Sequence, residues 1–175
     1  MRTIKKHWLD VSSSPVDSET SPIRQIYVWL LISDNQLVIV SNDGEHWQLP
    51  GGKPSNGEGV LQAANREVYE ETGLDISGNS PIFFGEYTID DHSSDTLQRY
   101  RQVRAYMYLQ TEAAALALTT SKESLAQYSA DVVHHVRTVP LSEVGRHIKW
   151  LPYSEEYNAL KRTKIIDVGA STYAV

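Results

Sequence analysis

Three glutamates near the middle of the chain have the spacing of neighbours on one side of a helix. Glu67, Glu70 and Glu71 fall within about one third of the circumference when residues are set at roughly 100° intervals. Carboxylates at these spacings repel one another, and more strongly where they are partly withdrawn from water. A hard divalent cation relieves that repulsion, and Mg²⁺ accepts a few carboxylates while keeping water and phosphate ligands. The spacing therefore predicts a magnesium-type site.

A glycine-rich loop comes directly before this acidic helix. Gly51 and Gly52 begin the loop, and Glu58 lies near its end. Because glycine lacks a Cβ, the backbone of such a loop can approach a ligand or a metal closely. Arg66 adjoins the acidic patch and can hold a glutamate in its ionised form through a bidentate hydrogen bond. We therefore expect the loop and the helix to line one site.

A helix rich in glutamate is, on its own, most often an exposed and solvated face. The surrounding residues change that interpretation, because the stretch from Gly52 to Leu74 resembles the signature of the Nudix hydrolases. The signature is Gly, five residues, Glu, seven residues, Arg-Glu, an aliphatic residue, one residue, Glu-Glu, one residue, Gly and an aliphatic residue. Every fixed position is filled, by Gly52, Glu58, Arg66, Glu67, Val68, Glu70, Glu71, Gly73 and Leu74.

The resemblance implies a Nudix fold, an α/β/α sandwich around a mixed β-sheet. In this family a loop–helix–loop motif binds Mg²⁺ or Mn²⁺ together with the diphosphate of the substrate. Carried over by position, Glu67, Glu70 and Glu71 match the metal-binding glutamates, and the carbonyl of Gly52 matches a further metal ligand. Magnesium, with manganese as a substitute, is therefore the expected cofactor.

The resemblance also implies an activity. Nudix hydrolases cleave a nucleoside diphosphate linked to another group, by attack of water on one phosphorus. Such a reaction needs charge neutralisation on the phosphates and a positioned nucleophile, which bound metals provide. Glu58 and Arg66 match positions that stabilise the loop and orient the glutamates, so Glu58, Arg66, Glu67 and Glu70 are the expected catalytic residues.

Two functions are favoured by this motif, while a hydrolase of messenger caps or RNA ends is disfavoured, without being excluded, by the acidic charge balance. The main prediction is a pyrophosphohydrolase with a nucleoside triphosphate or a nucleotide sugar as substrate, because no catalytic position is lost. The alternative is a nucleotide-binding regulatory module that keeps the fold and has little turnover. An isomerase of isoprenoid diphosphates is set aside, since that chemistry in the family depends on a cysteine and the chain has none. Residues 89–92 match no substrate-specific mark, so the sequence does not name the nucleotide.

A further carboxylate beyond the motif is expected to serve as a metal ligand or a general base. Its position varies within the family, so it is not fixed by the resemblance. Glu112, Glu123 and Asp131 all follow the predicted strand at 100–109. The sequence does not choose among these three residues.

Three residues outside the acidic cluster are candidates for contact with the substrate. Lys53 lies in the glycine-rich loop, Trp47 comes just before it, and Arg104 lies on a predicted strand. A cationic side chain can bind phosphate and a ring can stack on a base, although aromatic residues on strands pack in the core by default. His134 and His135 are expected to be structural, because neighbouring residues on a strand point apart.

The remaining sequence predicts the elements that position these residues. An apolar hairpin, a helix that ends at Gly73, three further strands and two C-terminal helices follow one another along the chain. The predicted ranges are 24–32 and 37–40 for the hairpin, 60–72 for the helix, 81–89, 100–109 and 132–139 for the strands, and 140–143 and 154–166 for the last helices. Residues 111–130 fit either a loop or a partial helix.

The composition limits the classes of partner and of site. With 175 residues, of which 41% are hydrophobic, the chain suits one domain with a substantial core. Its formal charge of −6 argues against broad binding of nucleic acid, which needs a basic face. A small nucleotide is the expected partner instead. The absence of cysteine excludes disulfides, thiolate zinc sites and cysteine nucleophiles.

The N-terminal region has a different composition from the rest. Residues 11–22 are rich in Ser, Pro, Asp and Thr. Residues 1–23 are therefore assigned to an arm that is flexible or joins a homodimer interface, and residues 24–175 to the Nudix domain. No apolar segment of a secretory signal follows the first lysines, and the longest apolar run, 26–32, is too short to cross a membrane. We therefore expect a cytoplasmic protein without membrane contact.

Overall fold

The architecture is a single mixed β-sheet with helices on both faces. The computed structural model describes residues 4–11, 21–32, 35–78, 80–92, 96–109 and 135–166. The strands are β1 (Ile4–Asp10), β2 (Ile23–Ile32), β3 (Gln36–Ser41), β4 (Gly51–Gly52), β5 (Ile82–Asp91), β6 (Gln98–Leu109) and β7 (His135–Pro140). The α-helices are α1 (Val60–Thr72) and α2 (Glu155–Arg162), and two 3₁₀ helices cover Leu141–Arg146 and Leu151–Tyr153.

The strand order confirms the predicted mixed sheet. It runs β1-β5-β6-β2-β3-β7, with β4 paired to β2 outside this path. Within the described residues the pairing of β2 with β6 is parallel, and the other strand pairings are antiparallel. The predicted hairpin is present as β2 and β3, which pair through Leu31 with Leu37 and Ile32 with Gln36.

Both faces of the central strand β2 are buried, so apolar residues follow one another along it without polar alternation. Val28 and Leu30 pack on one face of the sheet against α1, where Ala64 and Val68 are fully buried. Trp29 lies on the opposite face, in a second core that contains α2 and the 3₁₀ helices. The sheet therefore separates two cores, as the predicted α/β/α sandwich requires.

Strand β2 changes partner along its length, and this change brings the glycine-rich loop to the sheet. Its last residues pair with β3, whereas Ile26 and Tyr27 pair with Gly52 and Gly51 of β4. Gly51 has φ +147°, and a Cβ there would lie 2.1 Å from the carbonyl oxygen of Ile26. Only glycine fits this close approach of two strands.

Helix α1 has the bounds that the apolar spacing predicts. It covers Val60–Thr72 and ends at Gly73, which has φ +73° and donates its N–H to the carbonyl of Tyr69 at 2.8 Å. The left-handed residue reverses the chain at the predicted C-cap. Helix α1 therefore starts from the glycine-rich loop and runs along the sheet with its acidic side next to β4.

The predicted N-terminal arm includes an edge strand that the sequence pattern did not reveal. Strand β1 pairs with β5 and is mostly exposed, so it has no alternation of apolar and polar residues. Its anchor is Trp8, whose ring lies so close to Gly85 that a Cβ on Gly85 would be 2.0 Å from it. Together with the two-residue strand β4, which the sequence predicted only as part of a loop, β1 brings the sheet from the five predicted strands to seven.

The C-terminal elements differ in extent from the prediction. Helix α2 ends at Arg162 instead of Ile166, because the chain turns at Lys164, which has φ +56°. The predicted short helix at 140–143 is a 3₁₀ helix over Leu141–Arg146. The strand predicted at 132–139 is observed as β7, while residues 110–134 lie outside the described part of the chain.

In the described ranges, no helix has the length and apolar character needed to cross a membrane. Homodimer formation and a cytoplasmic location stay predictions from the sequence.

Candidate active site

Helix α1 divides its surface between the core and an acidic cluster. Ala64 and Val68 are fully buried against the sheet, as described above. On the adjoining side, the side chain of Glu67 is 13% exposed and that of Glu70 is 54% exposed. These two glutamates therefore differ in exposure, from a nearly buried carboxylate at Glu67 to one at the rim at Glu70.

Arg66 holds the acidic cluster together. Its Nε and Nη2 donate to the two carboxylate oxygens of Glu58 at 2.8 and 2.9 Å, and its Nη1 donates to Glu70 at 2.9 Å. Nη2 also lies 3.0 Å from Glu67 Oε1 and donates to the carbonyl of Lys53 at 3.1 Å. One guanidinium thus contacts three carboxylates and the loop backbone, the arrangement expected if Arg66 orients the glutamates.

Glu58 closes the glycine-rich loop onto α1. Besides the two hydrogen bonds from Arg66, its Oε2 accepts the backbone N–H of Ser55 at 2.7 Å. These hydrogen bonds favour the ionised form, so they lower the pKa of Glu58, with Arg66 as the main cause. The ionised form of Glu58 is therefore favoured, and its hydrogen bonds fix the loop.

Glu71 is bound to the backbone of the loop. Its Oε2 accepts the N–H of Gly51 at 2.8 Å. Burial raises the pKa of Glu71 to about 8, the hydrogen bond from Gly51 opposes this shift, and the charges of Glu67 and Glu70 add to it. Burial likewise raises the pKa of Glu67, with Arg66 opposing the shift. Two neighbouring carboxylates are thus held partly away from water.

Gly52 lies directly against the acidic cluster. A Cβ at this position would be 2.5 Å from Glu67 Cδ and 2.5 Å from Glu67 Oε1. A larger residue would therefore displace the carboxylate. The absence of a side chain at Gly52 brings the loop backbone to the same point as Glu67, as expected from the loop composition.

The donor set of this cluster fits a hard divalent cation. Among the described residues, no group of three or more Asp, Glu, His or Cys side chains converges as a complete cage for a metal ion. Mg²⁺ does not need such a cage, since it usually takes one or two carboxylates and fills its octahedron with water and substrate phosphates. The raised pKa of Glu71 marks a carboxylate whose ionised form a cation would stabilise.

A cavity of about 600 Å³ lies on the face of the sheet opposite α1. We call it the sheet cavity. Its wall is formed by side chains of β1, β2, β5 and β6, the segment before the glycine-rich loop, and the residues around the second 3₁₀ helix. Tyr27 on β2 is part of this wall and pairs with Gly51, whose N–H donates to Glu71. One strand pairing therefore separates the cavity from the acidic cluster.

Two of the three residues predicted to contact the substrate line the sheet cavity. Arg104 is 5% exposed, donates through Nε to the fully buried Glu156, and lies over the rings of Tyr27 and Tyr87 at 4.7 and 5.2 Å. Trp47 donates Nε1–H to the carbonyl of Gly44 at 3.1 Å, and the guanidinium of Arg137 covers its ring at 4.4 Å.

The third predicted contact lies outside the cavity wall. Lys53 is exposed, and its backbone carbonyl accepts a hydrogen bond from Arg66. Glu112, Glu123, Asp131 and His134 lie outside the described residues, so the structure does not place them. His135 is exposed on β7 and pairs with Ser41.

Several cavity residues were missed by the sequence analysis. The wall also contains Lys6, Gln25, Gln102 and Trp150, none of which belongs to a motif. The alternation along β6 could have indicated Gln102, since it shares a face with Arg104. No signal in the sequence indicated Lys6 or Trp150, because their positions depend on the pairing of β1 and on the packing of the segment between the two 3₁₀ helices.

Comparison with known proteins gives one family and several related folds. The family model for the NUDIX domain matches residues 23–161. An RNA pyrophosphohydrolase of Mesorhizobium japonicum is 35% identical over 91 residues, which cover 44% of this chain and 52% of that protein. The chain thus spans about half the length of this curated relative.

Solved structures share the fold at low sequence identity. The Bacillus subtilis pyrophosphohydrolase BsRppH, solved as a mutant, aligns with a TM-score of 0.53 and 17% identity over 90% of both chains. The NUDIX domain of Shewanella oneidensis NrtR, solved with ADP ribose, aligns with a TM-score of 0.50 and 14% identity over 78% of this chain and 88% of that chain. Both likenesses concern the fold.

Proposed function

The chain belongs to the NUDIX domain family, and from that premise we propose that it is a metal-dependent pyrophosphohydrolase. Its substrate is a nucleoside diphosphate linked to another group, with nucleoside triphosphates and nucleotide sugars as the first candidates. The observation that carries the proposal is the acidic cluster, in which Arg66 fixes Glu58, Glu67 and Glu70 beside the loop. A solvated glutamate-rich face has no need of such an arrangement.

The chain's own residues have separate roles in this proposal. Glu67, Glu70, Glu71 and the carbonyl of Gly52 are the ligands that would hold Mg²⁺ or Mn²⁺, with one or two of the carboxylates on each ion and water and substrate phosphates as the other ligands. When bound, the metal supplies charge neutralisation on the phosphates and a water of lowered pKa. Arg66 holds the carboxylates of Glu70 and Glu67 in position, at distances of 2.9 and 3.0 Å.

A second candidate substrate is the 5′-triphosphate end of an RNA. The identity of 35% to an RNA pyrophosphohydrolase supports it. The formal charge of −6 disfavours extended contact with a phosphate backbone. If RNA is the substrate, we expect recognition of the terminal nucleotides alone and a shallow dependence of KM on salt. A regulatory module with little turnover is the alternative to both hydrolases.

The decisive experiment compares the wild type with Glu70→Gln. Both are incubated with Mg²⁺ and nucleoside triphosphates, nucleotide sugars, ADP-ribose, dinucleoside polyphosphates and a 5′-triphosphate RNA, and products are separated by chromatography. We expect the wild type to cleave one class, and Glu70→Gln to lose on the order of 1,000-fold in kcat because a metal ligand is removed. Excess chelator should abolish the wild-type activity.

The matched control is Glu143→Gln, which removes an exposed carboxylate that is also paired with an arginine, Arg146, at 3.1 Å. It should retain full activity and stability. Undiminished activity of Glu70→Gln, or turnover in excess chelator, would contradict the metal mechanism. Metal-dependent binding of a nucleotide without any product would favour the regulatory module.

A further inference from the structure

We infer that the sheet cavity binds the nucleobase of the substrate, with the amides of Gln25 and Gln102 reading the edge of the base and Trp150 stacking on its face. This inference rests on the proposed function, because it assigns the base of the same nucleotide whose phosphates meet the acidic cluster. It commits the substrate to a class that carries a base, and it excludes recognition through phosphates and sugar alone.

The position of the cavity suits the base of a nucleotide held at the acidic cluster. Tyr27 lines the cavity and pairs with Gly51, and the N–H of Gly51 donates to Glu71. Neighbouring strands lie about 4.8 Å apart. The cavity wall and Glu71 therefore adjoin the same short strand pairing, and a nucleotide that passes around β4 places its phosphates at the carboxylates and its base in the cavity.

Gln25 and Gln102 form a coupled polar pair inside the cavity. They lie opposite each other on the parallel strands β2 and β6, and the Gln102 amide donates to the carbonyl oxygen of Gln25. Each amide carries a donor group and an acceptor oxygen. The hydrogen bond between them leaves the oxygen of Gln102 as an acceptor and the nitrogen of Gln25 as a donor. An adjacent donor and acceptor complement the hydrogen-bonding edge of a base.

One aromatic ring of the cavity is free to stack on a ligand. The rings of Tyr27 and Tyr87 face the guanidinium of Arg104, and the ring of Trp47 faces Arg137. Trp150, in contrast, is 55% exposed, and no cation or ring of the described chain covers it. Stacking of a base on such a ring contributes about 1–3 kcal/mol to nucleotide binding in other proteins.

The charges of the cavity favour a base over a phosphate. Arg104 is the most buried cation of the wall, but Glu156 neutralises it and the two tyrosines enclose it. Lys6, which is exposed on the edge strand β1, is the other cation of the wall. A phosphate needs several free donors or a second cation, whereas a neutral base needs a flat apolar surface and a few amide contacts.

Binding without turnover tests the inference directly. The probes are AMP, GMP, CMP and UMP, with ribose 5-phosphate as the probe that lacks a base, titrated by calorimetry. We expect at least one nucleoside monophosphate to bind at least tenfold more tightly than ribose 5-phosphate. Equal affinity for ribose 5-phosphate and all four nucleotides would overturn the inference.

Substitutions locate the base within the cavity. Gln102→Met keeps the side-chain length and removes the amide, so the preferred nucleotide should lose about tenfold in affinity, the loss expected for one or two hydrogen bonds. Gln98→Met is the matched control, because Gln98 lies on the same strand and accepts a hydrogen bond from Arg24 outside the cavity wall. Trp150→Ala should also lose about tenfold.

Failure of folding is separated from failure of binding by a second variant and a spectrum. Gln25→Met removes the partner amide from β2, and circular dichroism shows whether each variant is folded. Folded Gln102→Met and Gln25→Met proteins that both keep wild-type affinity would contradict the assignment.

The inference and the proposed function fail differently. Base-dependent binding that needs Gln102, without hydrolysis of any substrate, would leave the inference standing and refute the hydrolase. Metal-dependent hydrolysis of nucleotides with equal kcat/KM in the wild type, Gln102→Met and Trp150→Ala would keep the hydrolase and refute the inference.

Discussion

Arg66 shows how one side chain organises the candidate active site at the scale of single residues. Its five N–H donors have four different acceptors, namely the carboxylates of Glu58, Glu67 and Glu70 and the carbonyl of Lys53. A planar fork can serve these partners at once, whereas an ammonium group is a point charge with freely rotating donors. The function of Arg66 therefore depends on its shape as well as on its charge.

This dependence on shape predicts the effect of Arg66→Lys. The charge is kept, but the bidentate contact with Glu58 and the simultaneous contact with Glu70 are lost. We expect kcat to fall about 100-fold and the free energy of unfolding to fall by about 1–2 kcal/mol. Steady-state kinetics at saturating Mg²⁺ and urea unfolding measure the two effects.

The control for Arg66→Lys is Arg99→Lys, which changes another bidentate arginine. Arg99 donates to both oxygens of Asp90 at 2.7 and 3.1 Å on an exposed surface. An exposed pair of this kind is worth about 0–1 kcal/mol, so both kcat and stability should stay near the wild type. Equal activity of the two variants would show that the fork of Arg66 is not needed.

The sequence predicted the acidic cluster far better than it predicted the cavity. Glu67, Glu70 and Glu71 belong to one helix, so their local spacing determines that they lie together. Gln25 and Gln102 are 77 positions apart and meet through the parallel register of β2 and β6. That register is set by packing on both faces of the sheet, which no local pattern contains.

At the scale of elements, the turn between β3 and the glycine-rich loop is built around Asp43. Its Oδ1 accepts the backbone N–H groups of Glu45 and His46 at 2.8 and 2.7 Å, and its Oδ2 lies 2.6 Å from His46 Nδ1. These contacts lower the pKa of Asp43 and raise the pKa of His46 above its ordinary value of 6.5. Trp47, a wall residue of the sheet cavity, follows this turn directly.

The turn predicts a titration that can be measured by NMR. The hydrogen bond and the charge of Asp43 favour imidazolium, so the pKa of His46 should lie above 6.5 in the wild type and return close to it in Asp43→Asn. Because the pKa is raised in the folded state, this stabilisation is present below pH 6.5 and is lost as the pH rises through the folded-state pKa.

Asp75→Asn is the matched control for that titration. Asp75 accepts the backbone N–H of Ser77 at 2.9 Å in a separate turn after α1, so its loss should leave the pKa of His46 unchanged. An unchanged pKa of His46 in Asp43→Asn would show that the carboxylate does not determine it.

The elements differ in how clearly the sequence encodes them. Helix α1 was predicted with its observed bounds because apolar residues at helical spacing end at a glycine with the required positive φ. Strand β1 was not predicted because it is an exposed edge, and edge strands carry polar and charged residues that have no alternation. Helix α2 is shorter than predicted because the chain turns at Lys164, which has a positive φ. The apolar residues Ile165 and Ile166 continue the helical spacing in the sequence, so the pattern did not indicate this turn.

At the scale of the whole molecule, the order of elements along the sequence predicted the fold class. The sheet is mixed because β2 and β6 pair in parallel while the other described strand pairs are antiparallel. The sequence did not predict the strand order. Two residues near the start of β2 pair with β4 and its last two residues pair with β3, and this division depends on close backbone contacts that no local pattern contains. The two cores are joined through the sheet, and one buried ion pair, between Arg104 on β6 and Glu156 on α2, links the sheet to the layer of α2.

This ion pair predicts a stability change that depends on which partner remains. Glu156 is fully buried and Arg104 is 5% exposed, and burial raises the pKa of Glu156 while Arg104 opposes the shift. Glu156→Ala leaves the buried guanidinium without its counter-ion, so we expect the free energy of unfolding measured in urea to fall by about 3–5 kcal/mol.

Glu155→Ala is the control, on the exposed side of the same helix turn, and should lower the free energy of unfolding by less than about 1 kcal/mol. The double variant Arg104→Met with Glu156→Leu removes both charges and should recover most of the stability, because a well-packed apolar pair replaces a desolvated ionic one. If the single variant Glu156→Ala is no less stable than Glu155→Ala, the pair does not hold α2 to the sheet.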